Sequence, residues 1–202
     1  MLAAFIQRLP SVSRVVLLDP EDGVLSEAAR EIGALESRAE VLTHIGSADE
    51  EAIVLAREAD VGLAVHVVYL LPHARFRSFV QHWPPDVPLY VVLDSPNSVF
   101  SALWKHTAQD FAARSARVHE YLAGEANHGL LIRRTEFATR VANPFELEAT
   151  IRNLVLSLLC YCDYDDLPQG KKVEVEQVIR QHAEGNEVAC ACTCYELLRG
   201  MG

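Results

Sequence analysis

Short apolar runs alternate with helix-like segments along the first half of the chain, and this alternation constrains the fold most. The runs occupy residues 14–18, 39–43, 61–68 and 87–93. Between them, apolar residues recur at three- and four-residue spacing, as in amphipathic helices. Nearly continuous apolar strands are typical of parallel sheets that are covered on both faces. The pattern predicts a three-layer, doubly wound α/β fold with a mainly parallel sheet.

Residues 137–159 combine a short apolar strand, an Asn143-Pro144-Phe145 turn and an amphipathic helix. Pro144 lacks an N–H donor and presets its φ angle, which suits the first turn of a helix. The following apolar residues recur at helical spacing: Leu147, Ile151, Leu154, Val155 and Leu158. The sequence therefore predicts a last strand that leads directly into a packed last helix.

This strand–turn–helix unit resembles the end of response-regulator receiver (CheY-like) domains, where a Lys-Pro-Phe motif joins the last strand to the last helix. The resemblance implies a flavodoxin-like receiver domain over residues 11–159. The family's lysine falls on Asn143, and the third strand ends in Val-His-Val-Val, without the phosphoacceptor aspartate. It therefore implies a pseudo-receiver that cannot be phosphorylated and serves as a non-enzymatic module for signal transduction through a protein partner.

The rest of the chain departs from a receiver. The segment 94–136 is too long for one connecting helix, and its pattern predicts a long helix over 107–122 and a strand over 128–133. Residues 160–202 form a separate C-terminal extension in this interpretation. Two short helices are predicted there, over 173–182 and 187–198, and Gly185-Asn186 divides them.

Polar side chains follow the ends of the predicted strands. In open α/β sheets, ligands bind beyond the carboxyl ends of the strands, and carboxylates there suit a divalent metal. The candidate crevice residues are Asp19, Glu21, Asp22, Asp94, Ser95 and Asn143. They predict a small-ligand crevice, whereas the alternative is an exposed turn before a helix N-terminus that favours acidic residues.

An enzyme is the alternative reading of the same crevice. The segments ADVGLAVH and DVPLYVVLDS resemble nucleotide-handling Rossmann-like enzymes. This resemblance implies a small enzyme that acts on a nucleotide-type ligand. The sequence contains no G-x-G-x-x-G, phosphate loop or G-x-S-x-G motif to support one particular chemistry.

All five cysteines lie in the last quarter of the chain: Cys160, Cys162, Cys190, Cys192 and Cys194. Clustered thiolates bind Zn²⁺, and closely spaced C-x-C pairs suit Cu(I). A thiol-based metal-binding or redox sensor is therefore a further functional hypothesis. The alternative is that these residues are small apolar side chains in a helix contact.

Charge and hydropathy narrow the range of partners. The formal net charge is −10, and no stripe of Lys and Arg is present, so nucleic acid and anionic membranes are not expected partners. The N-terminus lacks a signal-peptide pattern, and no apolar run is long enough to span a bilayer. We therefore expect a cytoplasmic protein.

A homodimer is expected from the last helix of the predicted core. Residues 154–159 contain five apolar side chains that cover most of the helix circumference. A helix that is apolar nearly all round is normally buried on more than one side. We therefore predict that this helix or the C-terminal segment holds two copies together, and that glutamate at Leu156 and Leu159 leaves a folded monomer.

Overall fold

The computed structural model describes residues 13–19, 22–35, 40–45, 50–65, 67–124 and 130–199. The strands in this part of the chain are β1 (Arg14–Asp19), β2 (Glu40–Ile45), β3 (Gly62–Val65), β4 (Leu89–Asp94), β5 (Leu130–Ala142), β6 (Ala183–Glu184) and β7 (Glu187–Arg199). The helices are α1 (Asp22–Leu35), α2 (Glu50–Ala56), α3 (His73–His82), α4 (Val99–Thr107), α5 (Gln109–Ala123), α6 (Ala149–Cys160) and α7 (Gln169–His182). Short 3₁₀ turns occupy Val68–Leu70 and Pro144–Glu146.

The described strands form two sheets in an α/β fold. β1 and β2 pair in parallel, from Arg14 opposite Glu40 to Asp19 opposite Ile45. The larger sheet has the order β3-β4-β7-β5, and β6 pairs with the start of β7. The four strands that the apolar runs predict are thus all present, as β1 to β4.

β7 runs antiparallel to both of its long neighbours. Residue numbers that rise along β5 meet residue numbers that fall along β7: Arg133 contacts Glu196, Thr139 contacts Cys190, and Asn143 contacts Asn186. The contacts between β4 and β7 follow the same rule: Tyr90 with Glu196, and Ser95 with Ala191. Because β4 and β5 are each antiparallel to β7, they run parallel to one another. The sheet is mixed, so the prediction of a mainly parallel sheet is wrong.

The predicted helix over 187–198 is also wrong, because these residues form β7. Gly185 has a φ of 65° and allows the tight turn from β6 into β7. Buried residues in β7 include both neighbours Cys192 and Thr193, so the strand is covered on both faces. A strand without alternation cannot be distinguished from a buried helix by periodicity. The C-terminal segment therefore supplies a central strand as well as a helix.

Two other predicted elements take different bounds. The predicted helix over 107–122 begins at Gln109, and Ala108 separates it from α4 with φ −145° and ψ 63°. The two strands predicted over 128–133 and 137–142 are one 13-residue strand, β5. The predicted helix over 173–182 is confirmed as the larger part of α7.

Tertiary contacts divide the described residues into two compact units. The first contains the chain up to Leu63 together with 74–89 and 198–199, and the second contains 64–73 and 90–197. Part of the first unit's core lies between β1 and α1, where Leu17, Leu25 and Ile32 are buried together. Arg14 adds side-chain ion pairs to Glu40 and Glu58.

A core cluster of the second unit lies where α4, α6 and α7 pack against one another and the start of β7. Its buried members are Val99, Leu103, Leu156, Leu159, Cys160, Val175, Val178, Ile179, Val188 and Cys190. Trp104 Nε1 donates to Leu159 O at 3.1 Å, and the Thr107 hydroxyl lies 2.8 Å from Cys160 O. These bonds join α4 to the C-terminal end of α6.

Helix α6 has one buried face and one exposed apolar face. Leu156 and Leu159 are buried, whereas Leu154 and Leu158 are exposed by 62% and 68%. Glutamate at Leu156 or Leu159 would place a charge in the core, so those substitutions would not leave a folded monomer. No helix in the described part of the chain has both the length and the apolar character needed to cross a bilayer.

Candidate functional site

Several buried polar residues of the second unit lie at the carboxyl end of β4. β4 has the sequence LYVVLD, and its last residue, Asp94, is only 2% exposed. Ser95 N–H donates to Ala191 O of β7, which continues the strand pairing past Asp94. Ser98 caps α4 by accepting the Ser101 N–H, and Ser101 Oγ donates to Ser95 O at 2.8 Å. The strand therefore ends in a tightly bonded turn.

Tyr69 lies beside Asp94. Its hydroxyl is 3.5 Å from Asp94 Oδ2, and both residues are buried. Burial, and then the neighbouring Asp94 carboxylate, raises the pKa of Tyr69, so the phenol is protonated at neutral pH. The Tyr69 ring packs edge-on against Trp104 and Phe111. The Tyr69 hydroxyl thus donates to the Asp94 carboxylate beside an aromatic cluster.

His119 of α5 joins β4 to β7. Its Nε2 lies 2.8 Å from Asp94 O, and its Nδ1 lies 2.8 Å from the Tyr195 hydroxyl. A carbonyl oxygen only accepts, so Nε2 carries the proton. Burial lowers the pKa of His119, so the ring is neutral and Nδ1 accepts from Tyr195. Both nitrogens are occupied, and His119 therefore positions Asp94 rather than acting as a free base.

We expect this histidine to make the protein less stable in mild acid. Because the folded-state pKa of His119 lies below its unfolded value of about 6.5, its stabilising contribution is complete above that pH and is lost as the pH falls. The free energy of unfolding should drop by up to about 1.4 kcal/mol per pH unit from this group.

Urea unfolding at pH 7.5 and 5.5 measures this effect. The His119→Gln variant removes the titrating ring and should lose a clear part of the difference between the two pH values. His82 is exposed, so His82→Gln is the matched control and should keep the wild-type difference. Equal pH dependence in wild type and His119→Gln would contradict the assignment.

A pocket of about 570 Å³ adjoins the aromatic cluster. Its wall includes Phe111 and Tyr161, whose rings stack with centroids 4.0 Å apart. Arg114 and Asp110 of α5 line it as well. Phe111 thus lines the pocket and also contacts the ring of Tyr69.

The other predicted crevice residues have different surroundings. Asp22 is exposed in the first turn of α1, while the side chain of Asp19 and all of Glu21 lie outside the described residues. Asn143 is buried, and its side-chain oxygen accepts the Phe145 N–H at 3.1 Å. Asn143 therefore fixes the turn from β5 into α6. A ligand crevice formed by all six residues stays a prediction.

The structure separates the five cysteines into two positions. Cys160 ends α6 and Cys162 follows it, whereas the other three alternate along β7. Burial raises the pKa of both Cys160 and Cys190 to about 12, and it raises those of Cys162 and Cys194. Thiols that are protonated at neutral pH are poor metal ligands and slow nucleophiles.

No arrangement suited to a metal ion occurs among the described His, Cys, Asp and Glu side chains. Cys160 and Cys190 instead lie together in the core cluster of α4, α6 and α7. Cys160, Cys190 and Cys192 are therefore placed as small apolar core residues are, whereas Cys162 and Cys194 are half-buried. A Zn²⁺ or Cu(I) site at these five thiols has no support in this geometry and stays a prediction.

Sequence reasoning missed the Tyr69, His119 and Tyr195 side chains. His119 and Tyr195 are 76 positions apart along the chain, and neither belongs to a recognisable motif. The only local indication was the polar Asp94-Ser95 step after an apolar strand. The Asp94-Ser95 step indicates where the site lies, but it does not identify Tyr69, His119 and Tyr195 as the residues around it.

Comparisons with known proteins concern the fold. No protein-family profile matches the sequence, and no curated protein matches it. Solved structures do match. A protein of Bacillus halodurans provisionally assigned as a methyltransferase aligns with a TM-score of 0.55 and 15% identity, over 97% of this chain and 85% of that one.

Two further structures match at a similar level. A provisionally assigned methyltransferase from an antibiotic biosynthesis pathway of Anabaena variabilis has a TM-score of 0.54 and 14% identity, over 95% of this chain and 94% of that one. The YcgJ protein of Bacillus subtilis has a TM-score of 0.51 and 11% identity, over 95% and 85%. The likeness at this identity shows the fold.

The receiver resemblance is wrong. Two of these three solved structures are assigned as methyltransferases and none is described as a receiver domain, so the pseudo-receiver interpretation and its signalling role are both overturned. The error came from one local unit, because a strand, an Asn-Pro-Phe turn and a helix can occur in any α/β protein. In this chain β5 is joined to α6 by a 3₁₀ turn, and an antiparallel strand lies beside β5.

Proposed function

We propose that this chain is an S-adenosylmethionine-dependent methyltransferase domain. The supporting observation is the likeness of its fold, over 97% and 95% of its length, to two proteins assigned as methyltransferases. The proposal keeps the enzyme alternative of the sequence analysis, a Rossmann-like protein that acts with a nucleotide-type ligand. Methyl transfer thus replaces signalling as the proposed function of the chain.

The chain offers a candidate residue for the ribose of such a cofactor. In doubly wound nucleotide-binding sheets, an acidic residue at a strand's carboxyl end hydrogen-bonds the ribose hydroxyls. Asp19 ends β1 opposite Ile45 in a parallel pair, and α1 begins at Asp22. We assign the ribose contact to Asp19 on this placement in the backbone.

The remainder of the cofactor has no assigned residues. A glycine-rich turn would let the backbone approach a ligand closely, but no cluster of glycines follows a strand in the described part of the chain. When bound, the cofactor would supply an electrophilic methyl group. The contribution of the chain that we assign is to bind the ribose through Asp19.

Binding of S-adenosylhomocysteine to two variants tests the assignment. We expect Asp19→Asn to weaken binding about 10- to 100-fold, because it removes a charge-assisted hydrogen bond worth about 1.5–3 kcal/mol. Asp22→Asn is the matched control, since Asp22 is exposed in the first turn of α1 and its substitution should change affinity less than threefold. Isothermal titration measures both constants. Equal losses would contradict the role of Asp19.

A further inference from the structure

Strand β5 forms one edge of the larger sheet among the described strands. It is 13 residues long and pairs with β7 alone in that part of the structure. Residues 133–138 are all exposed, so neither face of the strand is covered there. A long, exposed edge strand presents a row of N–H and C=O groups that can pair with another chain.

The pairing with β7 fixes which backbone groups face outward. One register holds from Arg133, which contacts Glu196, to Asn143, whose N–H donates to Asn186 O. Along a strand, the N–H and C=O groups of successive residues point to opposite sides. Odd-numbered residues of this segment therefore face β7, and the backbone groups of even-numbered residues face the open edge.

Among registers centred on residues 133–136, charge favours one for two copies that pair through this edge. In an antiparallel pair, two opposite residues either both direct their N–H and C=O groups at the partner strand or both direct them away. In a pair of identical strands, opposite residues must therefore both be even-numbered or both be odd-numbered. The two-fold axis then passes through one residue and its symmetry mate. Centres on Arg133, Arg134 or Glu136 would set a like charge against itself. A centre on Thr135 sets Arg134 of each copy against Glu136 of the other, with two opposite-charge pairs.

The register centred on Thr135 also pairs most of β5, since it overlaps residues 130–140 of each copy. It places Arg133 opposite Phe137, which is 40% exposed, and such a pair can form a cation–π contact. A centre on Ala138 would pair Glu136 with Arg140 but would use only the last part of β5.

We propose that two copies of this chain pair β5 with β5 in antiparallel, centred on Thr135, so that the larger sheet continues across the two-fold axis. The contact is isologous, and its polar core is the Arg134–Glu136 pair, which within one chain already forms an ion pair. This dimer surface on β5 differs from the one on α6 that the sequence pattern predicts. The proposal is independent of the methyltransferase assignment.

Charge reversal tests the surface. Light scattering on the full chain should give about twice the 22.4 kDa chain mass. Arg134→Glu and Glu136→Arg each set like charges against one another and should weaken dimerisation at least tenfold. The double variant R134E/E136R restores opposite charges and should restore the dimer. Circular dichroism checks that each variant is folded.

Cross-linking tests the register. Thr135 would meet its own symmetry mate in a non-hydrogen-bonded pair with Cα atoms about 4.5 Å apart, which is within the range for a disulfide. Under mild oxidation, Thr135→Cys should give a covalent dimer. Ala138→Cys is the matched control, since it is exposed on the same strand but opposes Ile132 in this register.

Three results would overturn the proposal. They are a wild-type monomer at high concentration, a dimer that neither charge reversal weakens, and equal cross-linking at positions 135 and 138. A dimer that resists charge reversal but is lost in Leu154→Glu would assign the interface to the exposed face of α6 instead.

Discussion

Gly62→Ala should destabilise the protein by about 3 kcal/mol, because the added methyl group has no space. A Cβ at Gly62 would lie 2.2 Å from Trp83 Cζ2 and 2.6 Å from Cη2. The indole cannot move away easily, since Trp83 Nε1 donates to Val87 O at 2.7 Å and the ring packs on Phe79. Urea unfolding followed by circular dichroism measures the loss.

Two further variants isolate this cause. Gly33→Ala is the control, because a Cβ there meets nothing within 4 Å and α1 should gain about 0.5–1 kcal/mol from replacing a helical glycine. Trp83→Phe removes the part of the ring that would clash. Gly62→Ala should therefore cost less in the Trp83→Phe background than in wild type. The same cost in both backgrounds would show that another contact restricts Gly62.

Leu156→Ala should lower the free energy of unfolding by about 2–5 kcal/mol, the second large effect. Leu156 is fully buried in the cluster of α4, α6 and α7, where truncation leaves a cavity. Leu154→Ala, two positions earlier on the same helix, should cost less than about 1 kcal/mol, because its side chain is 62% exposed.

The comparison of these two leucines decides which face of α6 packs inward. Both substitutions remove the same atoms from the same helix, so helix propensity cancels between them. Thermal or urea unfolding gives the difference directly. Equal losses would mean that the face carrying Leu154 is also covered, either by a second copy or by another part of the chain.

Sequence patterns predicted the first half of the fold well, because its strands are distinctive. Buried strands such as β4, with the sequence LYVVLD, are short, apolar and bounded by proline or polar residues. Their alternation with helices is sufficient to indicate an α/β fold. The amphipathic pattern after Pro144 likewise located α6, although not which of its leucines are buried.

The position of β7 in the sheet was not predictable from the sequence of that strand alone. This strand is buried on both faces, and its alanines and leucines fit a helix as readily as a strand. Its place between β4 and β5 depends on contacts 50 or more residues apart, such as Thr139 with Cys190. Because the pattern of residues 187–198 predicts a helix, the sheet is expected to be mainly parallel, which agrees with the receiver resemblance.

The candidate site was visible only in part. Asp94 and Ser95 were identified because they follow an apolar strand, but His119 and Tyr195 are ordinary residue types in unremarkable surroundings. Burial changes their chemistry: it lowers the pKa of His119 and fixes its tautomer through Asp94 O. Such roles arise from packing between distant segments, so no local pattern reveals them.

Calorimetric titration of the unmodified full chain with S-adenosylhomocysteine tests the central proposal most directly. We expect one site per chain with a dissociation constant in the micromolar range or tighter, which corresponds to about −8 kcal/mol at 1 μM. Adenosine alone should bind more weakly, since it lacks the amino-acid portion. Absence of binding at millimolar ligand, with the protein shown to be folded, would contradict the methyltransferase assignment and leave the fold likeness without that activity.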